Sequence, residues 1–143
     1  MATTARAAVQ ATALAGTHQW SGMCATAPVV IVVLGDPGAS THWVEDCSAA
    51  TENLLLAATG LDLGAVWVAV YPHDDCDESV RQLLGIPAQF RVLCLVPLGH
   101  PAQTRPPRTR YEPGKVHAER FGSPFAGGLL ASAPPTAVGP GTW

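Results

Sequence analysis

Six consecutive residues, Val29-Val-Ile-Val-Val-Leu34, run without a polar interruption into Gly35-Asp36-Pro37-Gly38. A half-buried strand alternates apolar and polar side chains, and this run does not. It reads as a strand covered on both faces and closed by a turn. Such a strand obliges the chain to supply cover on each side.

The first cover is a helix. Ser40 or Thr41 can accept from its free N–H groups, and Glu45 and Asp46 fall in its first turn, where the helix dipole favours negative charge. The helix is predicted to run to about Thr59, with Gly60 as the left-handed residue that ends it. Val44, Cys47, Thr51, Leu54 and Ala58 line one face, and Ala50, Leu55, Leu56 and Ala57 widen the apolar surface beyond it. A helix apolar on so much of its circumference belongs in a core or a subunit interface.

A second unalternated run, Ala65–Tyr71, reads as another central strand, and Pro72–Asp77 as a polar loop. Asp75 and Glu78 have capping-box spacing for a short helix, Glu78–Leu84, which Gly85 ends and Pro87 prevents from resuming. Phe90–Pro97 is the third strand. The order is β-α-β-α-β over residues 29–97, an α/β or α+β pattern. Three strands and two helices make a thin core for a chain 48% hydrophobic, so the sheet is expected to take strands from elsewhere, most simply a partner subunit. The Ala-rich start, Met1–Gly16, is broken by Thr and Gln and reads as a short frayed helix rather than a signal peptide.

Composition removes several classes. The 143 residues suit one domain of about 100–150 residues, and only 13% are charged against about 25% in typical soluble chains. With a net charge of −3 there is no basic footprint for nucleic acid, and the composition opposes disorder. The longest apolar stretch, Ala27–Leu34, is eight residues, where a membrane helix needs about 20. Four widely spaced cysteines, Cys24, Cys47, Cys76 and Cys94, share no CxxC spacing and point to a reducing, cytoplasmic setting.

Charge is segregated along the chain. From Asp36 to Glu78 there are nine acidic residues and no Lys or Arg, whereas Arg105 to Arg120 holds five basic residues and two acidic ones. A solvated acidic face followed by a basic arm is the simpler account, and an anion held by the arm is the functional one. No GxSxG, GxxxxGK[ST] or strand-following GxGxxG occurs. His73-Asp-Asp-Cys-Asp-Glu78 has metal-ligand residue types, but adjacent residues cannot all face one ion, and helix N-terminal acids have a dipole explanation; no metal is expected. In an extended stretch Arg108 and Arg110, at i and i+2, can both reach one anion such as a phosphate. Trp67, inside a strand, is either core or the border of a flat aromatic ligand, and its position leaves both open.

Several segments in order resemble the nitroreductase family of FMN-dependent oxidoreductases: APVVIVV (27–33), WVED (43–46), SAATENLLLAATGLDLGAVW (48–67), Tyr71-Pro72, VRQLLGIP (80–87), VPLGHPAQ (96–103) and PRTRY…VHAERF (107–121). The resemblance implies an α+β fold, a nitroreductase-like mixed or antiparallel sheet flanked by helices. It also implies a homodimer with FMN in the interface, and hydride transfer from NADH or NADPH through the flavin to a small-molecule acceptor such as a nitro compound or quinone. By resemblance Trp67, Val68 and Ala69 border the flavin, mainly through backbone, and Arg108 and Arg110 hold its phosphate. In many relatives a glycine stands where Ala69 is, so its methyl is expected to crowd the ring. Residues 1–26 are too short for the family's Arg/Ser-rich opening and the elements after it. The expectation is therefore the C-terminal part of a nitroreductase over 27–121, followed by a Gly/Ala/Pro-rich, disordered tail over 122–143. The alternative function is a non-catalytic dimerising or flavin-binding remnant.

Overall fold

A computed structural model describes residues 2–5, 16, 21–103 and 112–124. The chain divides into two compact units, Met1–Ala102 and Gln103–Trp143. The first is built on β1 (Ala2–Ala5), β2 (Val29–Gly35), α1 (Trp43–Gly60), β3 (Gly64–Ala65), β4 (Val68–Ala69), α2 (Asp74–Leu84) and β5 (Arg91–Gly99). The strands form one antiparallel sheet in the order β1-β2-β5-β3, with β4 also pairing β5. This is an α+β fold.

The uninterrupted VVIVVL run is explained by a sheet with cover on both faces. Val30, Val32 and Leu34 turn to one face, where Val68, Val70, Val92 and Leu95 join Val80 of α2 and Cys24. Val33, Cys94 and Val96 turn to the other, against Cys47, Trp43, Val44, Leu54 and Leu55 of α1. Successive side chains of a strand point to opposite faces, so strands buried on both cannot alternate in polarity. Each buried Val or Leu removes apolar area from water worth about 1.5–3 kcal/mol.

Four local expectations are corrected. Residues 2–5 are a strand, not part of a helix: pairing with Val30–Val33 satisfies the outer edge of β2, and this gain outweighs the helix propensity of alanine. The sheet thus takes its extra strand from its own chain. Helix α1 starts at Trp43 after His42, and Ser40 Oγ instead accepts from the His42 N–H at 3.1 Å and donates to Asp46 at 3.0 Å. Gly60 is its last helical residue, and the left-handed position falls to Asp62 at φ 57°. Helix α2 begins four residues earlier than expected, at Asp74, with no side-chain cap, and ends as expected on Gly85 at φ 64°.

At Gly35 the absence of a side chain is a packing requirement. A Cβ there would lie 3.0 Å from Cys47 Sγ and 3.1 Å from Trp43 Cε3. Gly35→Ala should therefore destabilise by about 1–3 kcal/mol through overpacking. Gly22→Ala, where a Cβ meets nothing within 4 Å, should stay within about 0.5 kcal/mol in the same urea titration.

The second unit is described over 103 and 112–124. These residues hold a 3-10 turn, Pro113–Lys115, a bridge between His117 and Pro124, and a ring contact of 4.6 Å between His117 and Phe121. The tail beyond residue 124 lies outside the described residues.

Candidate functional site

The expected single strand Ala65–Tyr71 is two short ones, and it lies at the edge of the sheet, not its centre. The cause is distant in sequence. Gly64 pairs Gly99, Ala65 pairs Leu98, Val68 pairs Leu95 and Ala69 pairs Cys94, one continuous register that sets Val66 opposite Pro97. The Val70 N–H donates to the Leu93 carbonyl at 3.0 Å, which marks the alternate positions 64, 66, 68 and 70 as those bonded to β5. Pro97 has no N–H to give Val66, so the ladder breaks there. The missing donor faces this edge and leaves the pairing of Pro97 with Val30 of β2 intact.

The same register sorts the three residues expected to border a flavin. Val68 spends its backbone groups on β5 and buries its side chain in the α2-side core. Trp67 and Ala69 direct their N–H and C=O outward, to an edge with no strand partner among the described residues. Trp67 packs half-buried against the α1-side core, and Ala69 is exposed. Two outward peptide groups beside an indole wall fit the rim of a flat heterocycle recognised by hydrogen bonds to its ring atoms. Arg108 and Arg110 lie outside the described residues.

Behind this edge the chain is tightly held. Strand β5 carries a bulge where the register with β2 shifts between Val33 and Leu34, leaving Leu93 without a partner on β2. The Leu93 carbonyl accepts from both Val70 and Tyr71, each at 3.0 Å. The Tyr71 ring meets Trp43 edge to face, with centroids 5.1 Å apart. Asp77, only 2% exposed, accepts from the Val92 N–H at 2.7 Å through Oδ1 and from Arg81 Nε at 2.9 Å through Oδ2. Arg91 Nε stands 2.9 Å from the same Oδ2 as an ion pair, and its other arm reaches Asp74. The hydrogen bond to Asp77 holds the Arg81 guanidinium above its ordinary value, and Arg81 also pairs with Glu78. The acidic residues considered as metal ligands are thus largely engaged by arginines.

A cleft of about 300 Å³ opens beside the edge, on the face that Val66 and Pro97 share with the α2 core. Met23, Ala27, Pro28, Leu98 and His100 complete most of its wall. No sequence motif marks it, because its wall joins three separate segments.

Three cysteines are buried: Cys24, Cys47 and Cys94. Burial pushes the Cys94 thiol from 9.0 up to about 11, against an opposing contact with Thr51 Oγ1 at 3.5 Å, and raises Cys24 and Cys47 in the same direction. A thiol held protonated is a poor nucleophile at neutral pH. Because the folded chain keeps this proton and the unfolded chain loses it, the Cys94 thiol should leave stability unchanged below pH 9 and lower it between pH 9 and 11. Cys94→Ala should flatten that fall in urea titrations across this range.

A family model, "Nitroreductase family", matches residues 2–100. The chain belongs to the nitroreductase family. Two curated relatives, from Methanothermobacter thermautotrophicus and Archaeoglobus fulgidus, bear the name "Putative NADH dehydrogenase/NAD(P)H nitroreductase". They are 41% identical over 110 residues and 42% identical over 106 residues. The alignments cover 73% and 69% of this chain but 56% and 61% of the relatives, so the chain spans less than two thirds of either. A solved structure of the same name from Bacteroides thetaiotaomicron superposes with a TM-score of 0.82 at 35% identity, covering 85% of this chain and 72% of that one. An FMN-dependent nitroreductase from Clostridium difficile, at 22% identity and TM-score 0.80, shares the fold over 85% of this chain and 75% of its own.

Proposed function

We propose that this chain is an FMN-binding oxidoreductase of the nitroreductase family, with the edge Trp67–Ala69 against the flavin ring. The observation that supports this most is the pair of outward backbone positions, Trp67 and Ala69, on an edge with no strand partner among the described residues, inside a chain of this family. The chemistry FMN supplies when bound is hydride acceptance from NADH or NADPH and onward transfer of the electrons to a nitro, quinone or similar acceptor. The chain's own part is to bind and orient: Trp67 and Ala69 offer peptide groups to the ring edge, and Arg108 and Arg110 take the phosphate. The unit is a homodimer, with α1 in the contact. In support, α1 leaves Leu56 60% exposed beside exposed Ala49, Ala50 and Ala57, an apolar surface that a second copy would cover. Among the described residues no helix is long and apolar enough to cross a membrane.

The test is to purify the chain with added FMN and measure bound flavin per chain together with NAD(P)H consumption. Near-stoichiometric flavin and acceptor-dependent oxidation are expected. Bound flavin without oxidation would identify a non-catalytic flavin binder, and a colourless, inert protein would reject the reading.

A further inference from the structure

We infer that Asp77 is the positioning residue of the Trp67–Ala69 edge, acting through the bulge at Leu93. The inference rests on the proposal that this edge borders the flavin. Continuing the β4–β5 register puts Tyr71 opposite Val92, but the chain turns away at Tyr71-Pro72, so no strand residue follows to extend the ladder past Val92. The Asp77 carboxylate takes that place. Its Oδ1 holds the Val92 N–H at 2.7 Å, inside a site 2% exposed. The next carbonyl, that of Leu93, then receives both Val70 and Tyr71, each at 3.0 Å. Val70 follows Ala69 directly, so the outward aim of Ala69 and of Trp67 is set from this anchor.

The two carboxylate oxygens have separate tasks, which makes the role testable. Oδ2 faces Arg81 and Arg91 and contributes charge pairing, whereas Oδ1 faces the strand. Asp77→Asn keeps an acceptor for Val92 but removes the charge, and Asp77→Ala removes both. Leu84→Ala, in the same core but remote from Val92 in function, serves as the control for lost stability.

Amide hydrogen exchange and FMN titration of the full chain decide the matter. In Asp77→Ala the amides of Val92, Val70 and Tyr71 should lose protection about tenfold beyond any loss at Ile31 and Val33 of β2. The FMN dissociation constant should rise about tenfold. Asp77→Asn should recover most of both effects, and Leu84→Ala should lower protection evenly and leave FMN affinity unchanged. If the three amides follow Ile31 and Val33 in every variant, or Leu84→Ala weakens FMN as much as Asp77→Ala, the inference is wrong. Should Asp77→Ala fail to fold, exchange of the wild type in sub-denaturing urea replaces it. Val92, Val70 and Tyr71 must then open as one unit distinct from β2, and opening in step with β2 overturns the inference. A wild type that binds no FMN would sink the flavin reading alone, since the exchange comparison still judges the anchor.

Discussion

Asp77→Ala should lower the stability of the first unit by about 3–5 kcal/mol, the range for removing one partner of a buried ion pair. Asp77 is 2% exposed, and its loss leaves the Val92 N–H buried without an acceptor and Arg81 and Arg91 without their shared counter-charge. The effect is large because the failures coincide: an unmet buried donor, and two guanidinium groups left with only their more exposed partners, Glu78 for Arg81 and Asp74 for Arg91. A native domain is stable by only about 5–15 kcal/mol, so the variant should unfold at a much lower urea concentration. A shift below about 1 kcal/mol would show that the carboxylate is solvated in solution and is no keystone of the α2–β5 contact.

Replacing Arg108 and Arg110 together by Ala should weaken FMN binding by about 100-fold or more. Hydrogen bonds to charged groups contribute about 1.5–3 kcal/mol each, and every 1.4 kcal/mol is a factor of ten. Riboflavin, which has the ring but no phosphate, separates the two halves of the site. Its affinity should be the same for wild type and double variant. Equal weakening of FMN and riboflavin would mean that the arginines support the fold or the ring pocket and do not hold the phosphate.

The legible parts of the fold were those whose signal is local. Val29–Leu34 announces burial on both faces by its own composition, and the stripe from Val44 to Ala58 announces the face of α1 that meets the sheet. Where the structure departs from the reading, the deciding partner is far away in sequence. Residues 2–5 are a strand because β2 has an edge to fill, a gain invisible within four small residues. Ala65–Tyr71 looked central because its residues are apolar, and it is split at an edge because Pro97 faces Val66 across the ladder. Asp77 looked like one more acid at a helix start, and its acceptor role needs Val92, fifteen residues on. For the site, spacing alone left Trp67 undecided between core and ligand border. The structure packs it half-buried against the α1-side core, beside an edge with no strand partner among the described residues, and the ligand-border reading belongs to the proposal.

In the proposed site Trp67 and Ala69 offer outward peptide groups to the flavin and Val68 does not. Backbone amide resonances followed during FMN titration test this directly. Saturable shifts and slowed exchange at the Trp67 and Ala69 amides are expected, with Val68, already bonded to β5, changing little. FMN that binds while leaving Trp67 and Ala69 unmoved, or that perturbs Val68 foremost, would contradict the assignment of this edge.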